Sequence, residues 1–82
     1  MGEKELEVAI RMMVAYANLY SRTAEKARKK NLPMREQDYF SRILGVEKAL
    51  FCLGYKLEED GNRADGESEK SIEYMHYNVS KR

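Results

Sequence analysis

The residues able to do chemistry in this chain are few, and their numbers limit what the chemistry can be. Cys52 and His76 are the only cysteine and the only histidine. Together they make a conceivable nucleophile and base, but no third group marks itself as the orienter or oxyanion donor that such a pair needs. A lone cysteine in an apolar helical run is expected to be an inert packing residue. One Cys and one His also cannot supply a Cys/His metal site. Carboxylates cluster at Glu58, Glu59 and Asp60 and again at Asp65, Glu67 and Glu69. Read as a calcium loop from Asp60, the third position is Asn62, as required. The fifth is Ala64, the sixth is Asp65 where glycine belongs, and the twelfth is Ser71, which cannot chelate bidentately. No glycine-rich phosphate cradle is present. The chain is therefore expected to be no enzyme, with no catalytic residues, no metal and no cofactor.

Two charged groups point to binding instead. Between Arg22 and Arg35 stand Arg22, Lys26, Arg28, Lys29, Lys30 and Arg35 against Glu25 alone. Such a corner can contact phosphates with release of counterions, although no aromatic residues interleave it as on a base-stacking surface. The same charges also compensate the dipole of a helix C-terminus. The acidic run at Glu58, Glu59 and Asp60 can steer the chain to a basic partner, or can be a solvated loop.

Tyrosine outnumbers phenylalanine six to two and tryptophan is absent. Tyrosine suits a surface that is apolar in body yet stays wet until a partner arrives. Tyr20 and Tyr39 lie on helical seams and are assigned to the core. Tyr16, Tyr55, Tyr74 and Tyr77 lie off the seams, and with Glu58, Glu59 and Asp60 they form the expected partner-binding set.

The elements that must position these groups follow from the apolar period. Leu6, Ile10, Met13, Ala17, Tyr20, Ala24 and Ala27 step by four and three, which predicts a helix over residues 3–31. Acidic residues at its start and basic residues at its end suit the dipole, Asn31 suits a left-handed cap, and Pro33 prevents continuation. Tyr39, Ile43, Val46, Leu50 and Leu53 repeat the stepping and predict a second helix over 34–54, closed by Gly54. The short connection makes the two an antiparallel hairpin. Gly45 inside the second helix costs about 1 kcal/mol relative to alanine, which a close helix–helix approach would explain. Residues 57–70 read as a flexible acidic loop, brought by the hairpin near the acidic start of the first helix, so that the molecule would be negative at one end and positive at the bend. Within 71–80, Ile72, Met75 and Val79 fit a helical face, whereas Met75, Tyr77 and Val79 alternate as a strand does. The expectation here is a short helix, with Ser68 as its cap.

The expected fold is thus all-α, one domain over residues 1–82. Both helices carry apolar residues beyond their seams: Val8, Met12, Tyr16 and Leu19 on the first, Phe40, Leu44 and Phe51 on the second. A helix apolar on more than one side is buried on more than one side. An 82-residue chain with no disulfide commonly completes its core by self-association, so a homodimeric helical bundle is expected. The formal net charge of +1 excludes a globally basic nucleic-acid binder. The acidic N-terminus does not read as a secretory signal. The longest uncharged stretch, beginning at Met12, is about half the roughly twenty residues that span a bilayer. A cytoplasmic protein with no membrane contact is expected. The functional expectation is a regulatory or inhibitory module that binds another protein, of the kind phages and mobile elements direct at host defence, anti-CRISPR-like inhibitors included. The alternative is a small dimeric nucleic-acid-binding regulator that uses the basic corner.

Overall fold

The computed structural model describes residues 2–65 and 72–82. Helix α1 spans Glu3–Lys29 and helix α2 spans Pro33–Cys52. They are followed by two strands, β1 over Tyr55–Asp65 and β2 over Ile72–Lys81, paired antiparallel. The fold is α+β. It is neither all-α nor a helical bundle, because residues assigned above to an acidic loop and a short helix form a β-ribbon. The rest of that loop, with Glu67, Ser68 and Glu69, lies outside the described residues.

The hairpin between the helices is closed by backbone chemistry. Asn31 adopts φ 56°, its N–H donates to Arg28 O at 3.1 Å, and Leu32 N–H donates to Ala27 O at 2.9 Å. These are the two bonds of a Schellman motif, which satisfies carbonyls that the end of a helix leaves unpaired. Pro33 then opens α2, where its missing N–H costs nothing. At the other end Gly54, at φ 90°, donates to Phe51 O and turns the chain directly into β1. The last residue returns to the same place, with Arg82 N–H donating to Gly54 O at 2.9 Å.

The ribbon lies along the helices as a second layer, giving a slab of 42 × 27 × 18 Å. Its register pairs Leu57 with Val79 and Glu59 with Tyr77. It shifts between Glu59 and Asn62, and resumes with Asn62 opposite Met75. Gly61, at φ 83°, sits in this bulge. An extra residue there leaves both Glu59 and Asn62 on the helix-facing side, which strict alternation would forbid. β2 packs on α1 and β1 packs on α2.

The core between the layers is small: Ile10, Ala17, Ala24, Ala27, Ile43 and Leu50 are buried, with Ser21 among them. Three of these are alanine, so the helices and the ribbon can approach closely. Ser21 is the buried polar exception, and its hydroxyl donates to Met75 O at 2.6 Å. A Cβ built on Gly45 would meet no atom within 4 Å. The close helix approach expected at that glycine is absent.

Candidate functional site

β1 leaves α2 at Gly54 and runs back along the helices, and a cleft remains between the ribbon and the helices. One part, about 520 Å³, is lined by Ser21, Glu25 and Arg28 of α1, Phe40 of α2, and Glu59, Asn62, Glu73, Tyr74, Met75 and Tyr77 of the ribbon. A second part, about 380 Å³, is lined by Phe40, Ile43, Leu44, Glu47, Leu57, Glu59 and Tyr77. The two share Phe40, Glu59 and Tyr77 and form one groove between the two helices and the ribbon. Four carboxylates, Glu25, Glu47, Glu59 and Glu73, line it against one guanidinium, Arg28, which sits 3.9 Å from Glu25. Phe40, Tyr74 and Tyr77 supply aromatic surface beside them.

The electrostatics register in Tyr77. Its phenol is raised above the ordinary value of 10.0, first by burial and then by the charges of Glu59 and Glu47. Both effects penalise a second negative charge at this point. Burial would weigh on a cation as well, whereas the charges of Glu59 and Glu47 favour one at this point.

Of the expected partner-binding residues, the structure brings Glu59, Tyr74 and Tyr77 together in the groove and places the others elsewhere. Tyr16 stacks on Tyr20, with ring centroids 6.0 Å apart, on α1. Tyr55 begins β1 opposite Lys81. Glu58 accepts a hydrogen bond from the Ser80 hydroxyl at 2.7 Å and pairs with Lys56 at 3.3 Å. The Ser80 bond first, then Lys56, hold its carboxyl below the ordinary 4.5. Asp60 contacts Arg63 at 3.3 Å and His76 Nδ1 at 3.4 Å. His76 Nδ1 is buried and makes no hydrogen bond there.

The groove also draws on Glu25, Phe40, Glu47, Asn62 and Glu73, which were not expected as site residues. Nothing local in the sequence marks them, because they reach the groove through the path of the ribbon, which pairs Leu57 with Val79 and Glu59 with Tyr77. The expected separation of charge also fails. Because the ribbon runs back towards the helix bend, Glu59 and Glu73 share a cleft with Arg28.

The basic corner divides. Lys26, Lys30 and Arg35 line a depression of about 150 Å³ with Thr23, Leu32 and Tyr39, while Arg28 lines the groove. Arg22 is half-buried on α1 and Lys29 is exposed at its end. Cys52 is exposed at the end of α2, and His76 faces Asp60. No group of three or more His, Cys, Asp or Glu able to hold a metal occurs among the described residues, and no helix there is long and apolar enough to cross a membrane. No protein-family model, no curated protein and no solved structure matches the chain.

Proposed function

We propose that this chain is a non-catalytic protein-binding module whose groove receives a basic segment of a partner protein. The observation that carries the reading is the groove's lining: four carboxylates against one guanidinium, with Phe40, Tyr74 and Tyr77 beside them. A lysine or arginine side chain is held well by such a lining, through charge-assisted hydrogen bonds to carboxylate and through the aromatic faces. A regulator or inhibitor of the anti-defence kind would act by this means, its carboxylates competing with phosphates for a partner's cations. We place it in the cytoplasm, where an exposed free Cys52 stays reduced.

The test is titration of a fluorescent Arg/Lys-rich peptide, with an acidic peptide of equal length as control, at low and moderate salt. Saturable binding of the basic peptide is expected, weakened by salt and abolished by Glu59→Lys with Glu73→Lys. Equal behaviour of wild type and the double variant removes the proposal.

A second reading rests on the depression lined by Lys26, Lys30 and Arg35, which suits a nucleic-acid phosphate. It expects a DNA or RNA duplex to bind at low salt, with loss on Lys26→Glu, Lys30→Glu and Arg35→Glu together. No binding at low salt rejects it.

A further inference from the structure

Helix α1 carries a second apolar face that neither α2 nor the ribbon covers. Val8, Met12, Tyr16 and Leu19 are 55%, 53%, 48% and 41% exposed. At 3.6 residues per turn these four fall within about a quarter of the helix circumference. The buried Ile10, Ala17, Ser21 and Ala24 occupy the opposite side. Met12, Ala15, Tyr16 and Leu19 enclose an apolar depression of about 200 Å³.

We infer that this face binds the same face of a second copy of the chain, α1 against α1 in antiparallel orientation, about a two-fold axis between Ala15 and Tyr16. The charge pattern along the stripe selects that occupant. Glu5 lies one turn before Val8 on the same face, and Lys26 lies two turns beyond Leu19. Reversal about the axis sets Glu5 against the partner's Lys26, and again by symmetry at the other end. The same operation sets Met12 against the partner's Leu19, and the small Ala15 against the partner's Tyr16, so that each ring meets a gap. The acidic first turn, with Glu3 and Glu5, then approaches the basic last turn of the other copy. Parallel pairing would place like charges together. A second copy satisfies both ends of this pattern at once.

The surface of the chain is large for its mass. A compact monomer of 9.6 kDa exposes about 5,100 Å² by the usual mass scaling, whereas this chain exposes 6235 Å². The α1 stripe is one of the exposed apolar patches that share this excess. The pairing is also distinct from the bundle expected above, since α2 and the ribbon lie outside it and the groove remains open.

Sedimentation equilibrium of the full chain over a wide concentration range tests the inference. Wild type is expected to dimerise. Met12→Asp is expected to weaken dimerisation by about 10- to 100-fold, the equivalent of leaving one large apolar side chain exposed. Its circular dichroism should be unchanged, because Met12 is exposed in the single chain; Leu19→Lys repeats the test if Met12→Asp unfolds. Glu5→Lys should weaken the dimer, and Glu5→Lys with Lys26→Glu should restore it. Basic-peptide binding in the groove should survive Met12→Asp, which separates this inference from the function proposed above. A wild type that stays monomeric at millimolar concentration overturns it, as does a dimer indifferent to Met12→Asp and Leu19→Lys. Failure of the charge swap to restore association overturns the antiparallel register.

Discussion

Asn18 of α1 holds Tyr77 of β2 by both of its backbone groups: Nδ2 donates to Tyr77 O at 3.2 Å, and Oδ1 accepts from Tyr77 N–H at 2.6 Å. One turn further along, Ser21 donates to Met75 O. A two-stranded ribbon is marginal by itself and leaves unpaired groups along each outer edge. Here α1 occupies part of β2's outer edge with side chains where a larger sheet would place a third strand. Replacing Asn18 by alanine removes two hydrogen bonds at a half-buried position and is expected to cost about 1–3 kcal/mol. Urea unfolding should show a lowered midpoint with an unchanged slope. A loss below about 0.5 kcal/mol would mean that water replaces the amide without penalty and that the ribbon is held by other contacts.

Two glycines with equally open surroundings should respond to alanine in opposite directions. At Gly61 and at Gly45 alike, an added Cβ meets nothing within 4 Å. Sterics against neighbours therefore decide neither case, and the backbone decides both. Gly61 holds φ 83° in the bulge, a conformation that costs an L-residue about 1–2 kcal/mol, so Gly61→Ala should destabilise by that order. Gly45 is an ordinary interior position of α2, and Gly45→Ala should stabilise by about 0.5–1 kcal/mol. Thermal unfolding of the two variants should shift to opposite sides of wild type. Shifts of the same sign would show that one glycine has a role outside its own backbone.

The helices were legible because their information is local. A four–three apolar step, Asn31 before Pro33 and Gly54 after Leu53 each act within a turn of their own position, and the observed ends fall within two residues of those expected. The ribbon was not legible for the converse reason. On β1 only Tyr55 and Leu57 are large inward-facing residues, and the helix-facing positions after them are Glu59 and Asn62, whose partners come from β2 and α1. The bulge at Gly61 breaks the alternation that would have marked a strand. β2 carries both periods, and the choice is made by pairing with β1 and by Asn18 and Ser21, nearly sixty residues away. The groove was therefore half legible: Glu59, Tyr74 and Tyr77 were marked by type, whereas Glu25, Glu47 and Glu73 belong to it only through the ribbon's path.

Outside the groove, Glu58 gives a check on the ribbon's register. Its carboxyl is held low because Ser80, diagonal to it across the ribbon, donates to it. A group with a depressed folded value contributes stability above its unfolded pKa and loses it as pH falls through the folded one. Ser80→Ala should raise the Glu58 pKa towards 4.5, as read by NMR titration of its side-chain carboxyl. A register slipped by one residue would move Ser80 to the other face and leave Glu58 indifferent to the change.

The groove carries its own reporter in Tyr77. Burial, Glu59 and Glu47 raise its phenol above 10.0. A group raised in the folded state contributes stability that is intact below the unfolded pKa and is lost as pH rises through the folded one. Stability should therefore decline at alkaline pH, starting near the ordinary tyrosine value. Glu59→Gln removes a negative charge without removing volume, and should lower the Tyr77 pKa in an ultraviolet titration. Glu47→Gln should lower it less, since its charge contributes less. A bound arginine-rich peptide, which keeps its charge at that pH, sets positive charge beside the phenol and also buries it further, so the Tyr77 titration should move. If the peptide binds and Tyr77 titrates unchanged, the peptide sits elsewhere on the molecule, and the groove is no longer the site that recognises it.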